Sequence, residues 1–239
     1  MSKNGVIVTS AINTKFGIYT TEQRMTQTLD TIRSVRQHIP GARIFLLEMA
    51  GLPLTEQQKS VLTAAVEHVF DYTSDPAVTG LFHSTDNWDV VKNVTEVMCF
   101  ERALQTLLDT EVAGEFDRFF KISGRYTLTD QFDLEFYDQY KIKSCIVVGT
   151  SRSSQFPFDA TQIERQYMSR LWSWPAALTA EVVEAYQNSL NHMYQRLASK
   201  GYADIEHCLY KFLDPNKVIE KDLLGVQGNI APNGAAIND

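Results

Sequence analysis

Cysteine is scarce in this 239-residue sequence, with only Cys99, Cys145 and Cys208. Three thiols far apart in the chain match neither a disulfide framework nor a zinc ligand set, and all three are expected as reduced core residues. Positive charge is also in short supply. The chain carries 22 Lys and Arg against 29 Asp and Glu, a formal net charge of -7, and its basic residues are scattered without a cluster. Nucleic acid is excluded as a partner, because binding it needs a basic stripe that displaces counterions from phosphates. No apolar run approaches the roughly 20 residues that cross a bilayer, so no transmembrane segment is expected. The start, Met1-Ser2-Lys3-Asn4, leads straight into a strand-like run without the pattern of a signal peptide, so a cytoplasmic address is expected. Two nucleotide motifs are missing as well. No Gly-x-Gly-x-x-Gly follows the first strand, which weighs against dinucleotide use, and no Gly-x-x-x-x-Gly-Lys-Ser/Thr occurs, which weighs against a P-loop kinase.

What remains has the composition of a folded protein, 44% hydrophobic and 21% charged. Gly5-Val6-Ile7-Val8-Thr9-Ser10-Ala11 is a short apolar run of the kind that forms a buried parallel strand. A helix is predicted from about Thr21 to Gln37, where Thr20 and Gln23 have capping-box spacing and Met25, Leu29, Ile32 and Val35 share a face. Pro40-Gly41 stops it, and Ala42 to Glu48 is again a buried strand. Strand, helix and strand with short links make a βαβ unit, whose crossover should be right-handed. A second helix from Thr55 to Ala65 leads to a weak strand at Val66 to Asp71. Tyr72 to Asp89 shows no periodicity and is expected to be a long functional loop. A third helix is expected from Val91 to Asp109, then strands at Asp117 to Ser123 and Cys145 to Gly149. The second half is less regular. It holds an aromatic stretch from Tyr167 to Pro175, a helix from Ala180 to Ser199, a segment from Ile205 to Leu213, the apolar pair Val218-Ile219 and a Gly/Pro/Asn-rich tail. The expected class is α/β, with a mostly parallel sheet flanked by helices.

Two stretches carry a resemblance to a known family. Gln27 to Arg36 followed by Ile39 to Leu46 looks like the first helix and second strand of the GT-A glycosyltransferases. Phe120-Lys121-Ile122-Ser123-Gly124-Arg125-Tyr126-Thr127-Leu128 is similar to a Lys-x-Ser/Thr-Gly-Arg-Tyr segment of some bacterial and viral members, where others carry Asp-x-Asp. Lys92-Asn93-Val94-Thr95-Glu96 and Asp204-Ile205-Glu206-His207 fit the same order. The resemblance implies a single Rossmann-like GT-A domain over 1–239. Residues 1–150 would bind the nucleotide-sugar donor, and a more helical 151–239 would bind a glycan acceptor. One departure stands out: no Asp-x-Asp occurs, so a bound Mn²⁺ or Mg²⁺ is left open, since hard cations need oxygen ligands.

Sugar transfer from such a donor builds negative charge on the leaving diphosphate, so cationic side chains are sought there. An inverting enzyme also needs a carboxylate to take the acceptor proton. Arg125 ends a buried strand, where α/β sheets place ligands, and either touches phosphate or makes a structural ion pair. Lys121 is its partner candidate, against a lysine that merely snorkels to water. Ser123, Gly124 and Tyr126 complete that segment, with Gly124 serving the turn. Thr9, Ser10, Ala11 and Asn13 end the first strand, where the nucleoside would lie, and Arg24 could reach a phosphate from the next helix. Lys92 and Glu96 stand at i,i+4, the spacing of a surface ion pair, and the resemblance raises Glu96 as a donor-sugar contact. Glu206 is the candidate base with Asp204 in reserve, against the plain alternative of a helix N-terminal Glu favoured by the dipole. Trp172, Trp174 and His207 are the acceptor-side candidates, the tryptophans for stacking on a sugar. The function expected is transfer of a sugar from a nucleotide diphosphate to a glycan hydroxyl. The alternative is a non-catalytic nucleotide- or glycan-binding module.

Overall fold

The computed structural model describes residues 2–229 and 234–239. Its first strand, β1 (Asn4–Ser10), is buried at every position, as an unbroken apolar run requires when both faces are covered. The chain enters α1 (Thr21–His38) through the expected capping box. The Thr20 hydroxyl accepts from the Gln23 amide, and the Gln23 side chain accepts from the Thr20 amide. Gly41 turns the chain at φ +77°, a conformation glycine adopts without a steric cost, into β2 (Arg43–Glu48). A second capping box, Thr55 with Gln58, opens α2 (Glu56–Ala65), which returns to β3 (His68–Asp71).

The next segment corrects the expectation of a long loop over Tyr72 to Asp89. It holds α3 (Pro76–Ser84), capped by the Asp75 carboxylate with Pro76 in its first turn. It also holds the first residues of α4 (Trp88–Asp109), capped by Asn87. A nine-residue helix that buries only Val78 and Phe82 is too short for periodicity to announce it. β4 (Arg118–Ser123), β5 (Tyr126–Leu128), α5 (Leu134–Asp138) and β6 (Ile146–Gly149) follow. The second half contains β7 (Arg152–Ser153), α6 (Phe158–Thr161), β8 (Arg165–Gln166), β9 (Leu171–Pro175), α7 (Thr179–Ala198), α8 (Ile205–Phe212) and β10 (Val218–Lys221). The tail holds β11 (Val226–Asn229) and β12 (Ala236–Asn238), with 230–233 outside the described residues. Cys99 and Cys208 are buried as expected, but Cys145 is partly exposed, ahead of a strand that starts one residue later than anticipated.

The central sheet has seven strands in the order β10-β6-β9-β4-β1-β2-β3. β1 pairs in parallel with β2 and β4, β2 with β3, and β6 with β10, while β9 runs antiparallel between β4 and β6. Helices cover both faces, and the α/β class is as expected. Strand alternation splits the core in two. Ile7, Phe119, Trp172 and Trp174 pack against Val97 and Phe100 of α4 and Val182 and Tyr186 of α7. Val6, Val8, Phe120 and Leu171 pack on the other side with Ile32 and Val35 of α1 and Tyr137 of α5.

Candidate functional site

The parallel strands β1, β2 and β4 end along one edge, where open α/β sheets leave a crevice. Two cavities lie there. The first, of about 220 Å³, has apolar walls: Ala11 and Phe16 after β1, Met49 and Ala50 after β2, and Phe82 and Trp88 from α3 and α4. The second, of about 280 Å³, is polar and lies among α4, the residues before β9 and the start of α8. Trp88, Lys92 and Arg125 line both and so form the wall between them.

The floor of the first cavity hangs on Glu48, which reasoning from sequence missed. Its carboxylate is fully buried and accepts from the Ile12 amide at 2.9 Å, the Ala50 amide at 3.1 Å and the Ser10 hydroxyl. Burial pushes this carboxyl above its usual range, although the three donors pull the other way. The clamp ties the loop after β1 to the loop after β2. The only sequence signal was an acidic residue ending a buried strand.

Lys121 does not behave as expected. Alternation along β4 puts it on the same face as Phe119, opposite Trp172 and beneath α4, where it is completely buried. A charge placed there must be paired, because desolvation is otherwise uncompensated. Its ammonium lies 2.7 Å from Glu96 Oε1 and donates to Ser123 Oγ at 2.8 Å and the Ser169 carbonyl at 2.7 Å. All three protons are used, so Lys121 neither snorkels to water nor reaches a ligand. Burial lowers the Lys121 ammonium, and the adjacent Glu96 carboxylate acts to keep its proton on. Burial raises the Glu96 carboxyl, but Lys121, Lys92 and Arg125 outweigh it and hold the group below its usual range. The i,i+4 surface pair of Lys92 with Glu96 is thus replaced by a buried pair across two elements.

The cations that remain are Arg24, Lys92 and Arg125. They line the two cavities together with Arg170, and of these four only Arg170 is in a salt bridge among the described residues, with Asp239. Arg24, buried on α1, donates to the Phe16 carbonyl at 2.8 Å and to the Ala11 carbonyl at 3.4 Å. Burial lowers its guanidinium, and the charge on Arg125 lowers it further, so the two arginines are neighbours. Both keep a buried Nε without a hydrogen-bond partner.

The far end of the second cavity is acidic. Asp204 caps α8, and its Oδ1 accepts from the His207 amide at 3.0 Å and pairs with His207 Nδ1. His207 is itself completely buried, with Nε2 2.8 Å from Ser154 Oγ. It therefore orients Asp204 and does not meet an acceptor directly, which corrects that assignment. Glu206 lines the same cavity and accepts from the Ser169 hydroxyl at 2.5 Å. Its carboxyl is raised first by burial and then by Asp204, against Lys92 and the Ser169 hydrogen bond. Asp89 joins them, raised by burial, with Lys92 opposing and Asp204 adding. Gln166 was not anticipated: it is buried, lines this cavity, and its Oε1 has no partner.

The other candidates sort by burial. Trp172 and Trp174 are 1% and 0% exposed, packed against each other and Phe100, so neither offers a face to a sugar. Their alternation on β9 aims both at α7. Asn13 is turned away, bound to the Pro53 carbonyl and the Gln58 side chain. Thr9 and Ser10 are buried and engage Glu96 and Glu48, while Ala11 lines the first cavity. Gly124 is needed for close approach: a Cβ there would lie 3.1 Å from both the Thr9 carbonyl and Thr28 Oγ1. Ser123 and Tyr126 line the second cavity, and the guanidinium carbons of Arg125 and Arg170 lie 5.8 and 5.9 Å from the centre of the Tyr126 ring.

No protein-family model and no curated protein sequence matches the chain. Its fold does have a solved counterpart in core-mannan synthase A from Aspergillus fumigatus, in a Mn/GDP form. The match has a TM-score of 0.50 at 9% identity and covers 98% of this chain and 77% of that one. The fold is GT-A-like. At that identity the likeness shows the architecture alone. No helix among the described residues is long and apolar enough to cross a membrane.

Proposed function

We propose that the protein is a glycosyltransferase that moves a sugar from a nucleoside-diphosphate donor to a glycan hydroxyl. The observation that carries this reading is the pair of unlike cavities sharing one cationic wall at the C-terminal edge of the sheet. The aromatic and aliphatic walls of the first suit a nucleoside, with the buried, unpartnered Thr95 hydroxyl as a polar handle. The second suits two sugars, because its carboxylates and the free Gln166 carbonyl accept hydrogen bonds from hydroxyl groups. The fold of the mannan synthase supports the reading, and residues 1–150 supply the donor part while 151–239 supply the acceptor part.

Glu206 is the base in this scheme. A carboxyl raised above its usual range is a stronger proton acceptor than an ordinary surface glutamate, provided it is ionised. Burial raises the Glu206 carboxyl first and the Asp204 charge adds to that, with Asp204 itself held by His207. The test is turnover of nucleotide sugars with and without glycan acceptors. Glu206→Gln should retain donor binding within a few-fold and lose at least 100-fold in transfer, the lower bound for general-base catalysis. Binding of a donor with neither transfer nor hydrolysis in the native protein would favour the binding-module alternative.

A further inference from the structure

A transferase of this kind must neutralise the diphosphate that leaves, and the core-mannan synthase structure is a Mn/GDP form. A divalent ion of that kind needs several oxygen ligands, chiefly carboxylates. The residues at the end of β4 do not fit it. Ser123 Oγ accepts from Lys121 at 2.8 Å, and Glu96 Oε1 is held by the same ammonium at 2.7 Å. Among the described residues no three His, Cys, Asp or Glu side chains converge to hold a metal. The wall between the two cavities carries Lys92 and Arg125, whose charges would repel one there, while the carboxylates Asp89, Asp204 and Glu206 line the polar cavity.

Two of the cations at the crevice keep an unused donor. Arg24 and Arg125 flank a small recess at the end of β1, next to Gly124, and each keeps a buried Nε without a partner. Lys92 and Arg125 stand on the wall between the nucleoside-sized cavity and the polar one, where a diphosphate linking the two would pass. The charge on Arg125 lowers the Arg24 guanidinium, so these two like charges disfavour one another, and an anion placed between them reverses the sign. Guanidinium groups also match phosphate oxygens bidentately, and such bonds are the stronger kind.

Resting on the transferase reading above, we infer that Arg24, Lys92 and Arg125 hold the donor diphosphate and carry its charge in place of a divalent ion. In the reaction the bond from the sugar anomeric carbon to the diphosphate oxygen breaks, and its electron pair leaves on that oxygen, beside these three cations. The acceptor oxygen forms the new bond to the anomeric carbon, and its proton passes to Glu206.

The test is calorimetric titration of the full chain with GDP, UDP, CDP and ADP, in EDTA and in Mn²⁺, alongside the matching nucleosides. One diphosphate is expected to bind in EDTA within about 3-fold of its affinity in Mn²⁺, and to weaken as salt rises. Arg125→Gln and Lys92→Gln should each weaken it at least 10-fold while changing nucleoside affinity less than 3-fold. Melting curves establish that each variant is folded, and Lys92, only partly buried, gives a second variant if Arg125→Gln does not fold. Binding in Mn²⁺ alone would overturn the inference and leave the transferase reading intact. So would binding in EDTA that neither variant weakens. Failure of every diphosphate in both buffers would instead overturn the transferase reading, and this inference with it.

Discussion

Lys121→Met separates a structural lysine from a phosphate-binding one. In the wild-type protein the Lys121 ammonium is completely buried and satisfies three acceptors: Glu96, the Ser123 hydroxyl and the Ser169 carbonyl. Methionine fills the space of the stem but leaves the Glu96 carboxylate with its nearest counter-charge gone. Removing one partner of a buried pair costs about 3–5 kcal/mol. The lower part of that range is expected, because Lys92 and Arg125 also act on Glu96. In a chain of this size each kcal/mol moves the melting temperature by roughly 2–4 °C, so a loss of about 3–4 kcal/mol lowers it by roughly 6–16 °C. Replacing both partners, Lys121→Met with Glu96→Leu, removes the stranded charge. The double variant should therefore recover about 1–3 kcal/mol relative to the sum of the single losses. Urea and thermal melts of the four proteins give the cycle, and calorimetry at a temperature where all are folded gives diphosphate affinity. A Lys121→Met protein within about 1 kcal/mol of wild type would refute the buried-pair account, as would single losses that simply add in the double variant. A large loss of diphosphate affinity with stability unchanged would return Lys121 to the ligand.

Two further outcomes follow from the site. Asp204→Asn keeps a good helix cap but removes the charge that helps to raise Glu206, so the Glu206 carboxyl falls and its base form persists to lower pH. The acidic limb of the kcat/KM profile should move to lower pH, and a limb that stays or rises would count against Glu206 as the base. Glu48→Ala strands the buried amides of Ile12 and Ala50 and should cost about 1–3 kcal/mol, whereas Glu48→Gln keeps an oxygen for both. Because burial raises the Glu48 carboxyl in the folded state, its contribution is fully present below the unfolded value near 4.5 and is lost as pH rises towards the folded value. Denaturation measured across that range should show Glu48→Gln gaining on wild type as pH increases, and a constant difference would refute the assignment.

Local chemistry was legible in the sequence wherever neighbours in the chain decide the outcome. The Thr20 and Gln23 capping box, the stop at Gly41 and the buried strands at both ends of α1 depend on residues within a few positions of one another, and the α/β class follows from their alternation. The same local pattern singled out Arg125 and Glu206 as chemistry-bearing, and both line the crevice. Only the tertiary structure decided which charges are spent. The partner of Lys121 is not a ligand but Glu96, on a helix that precedes it in the chain, and His207 is turned inward by Ser154. Trp172 and Trp174 look like sugar platforms until the antiparallel insertion of β9 aims both at α7. Arg24, Lys92 and Arg125 come from three separate elements, so no spacing in the sequence marks them as one group. A charge is free or paired according to what packs against it, and that is settled by contacts between elements distant in the chain.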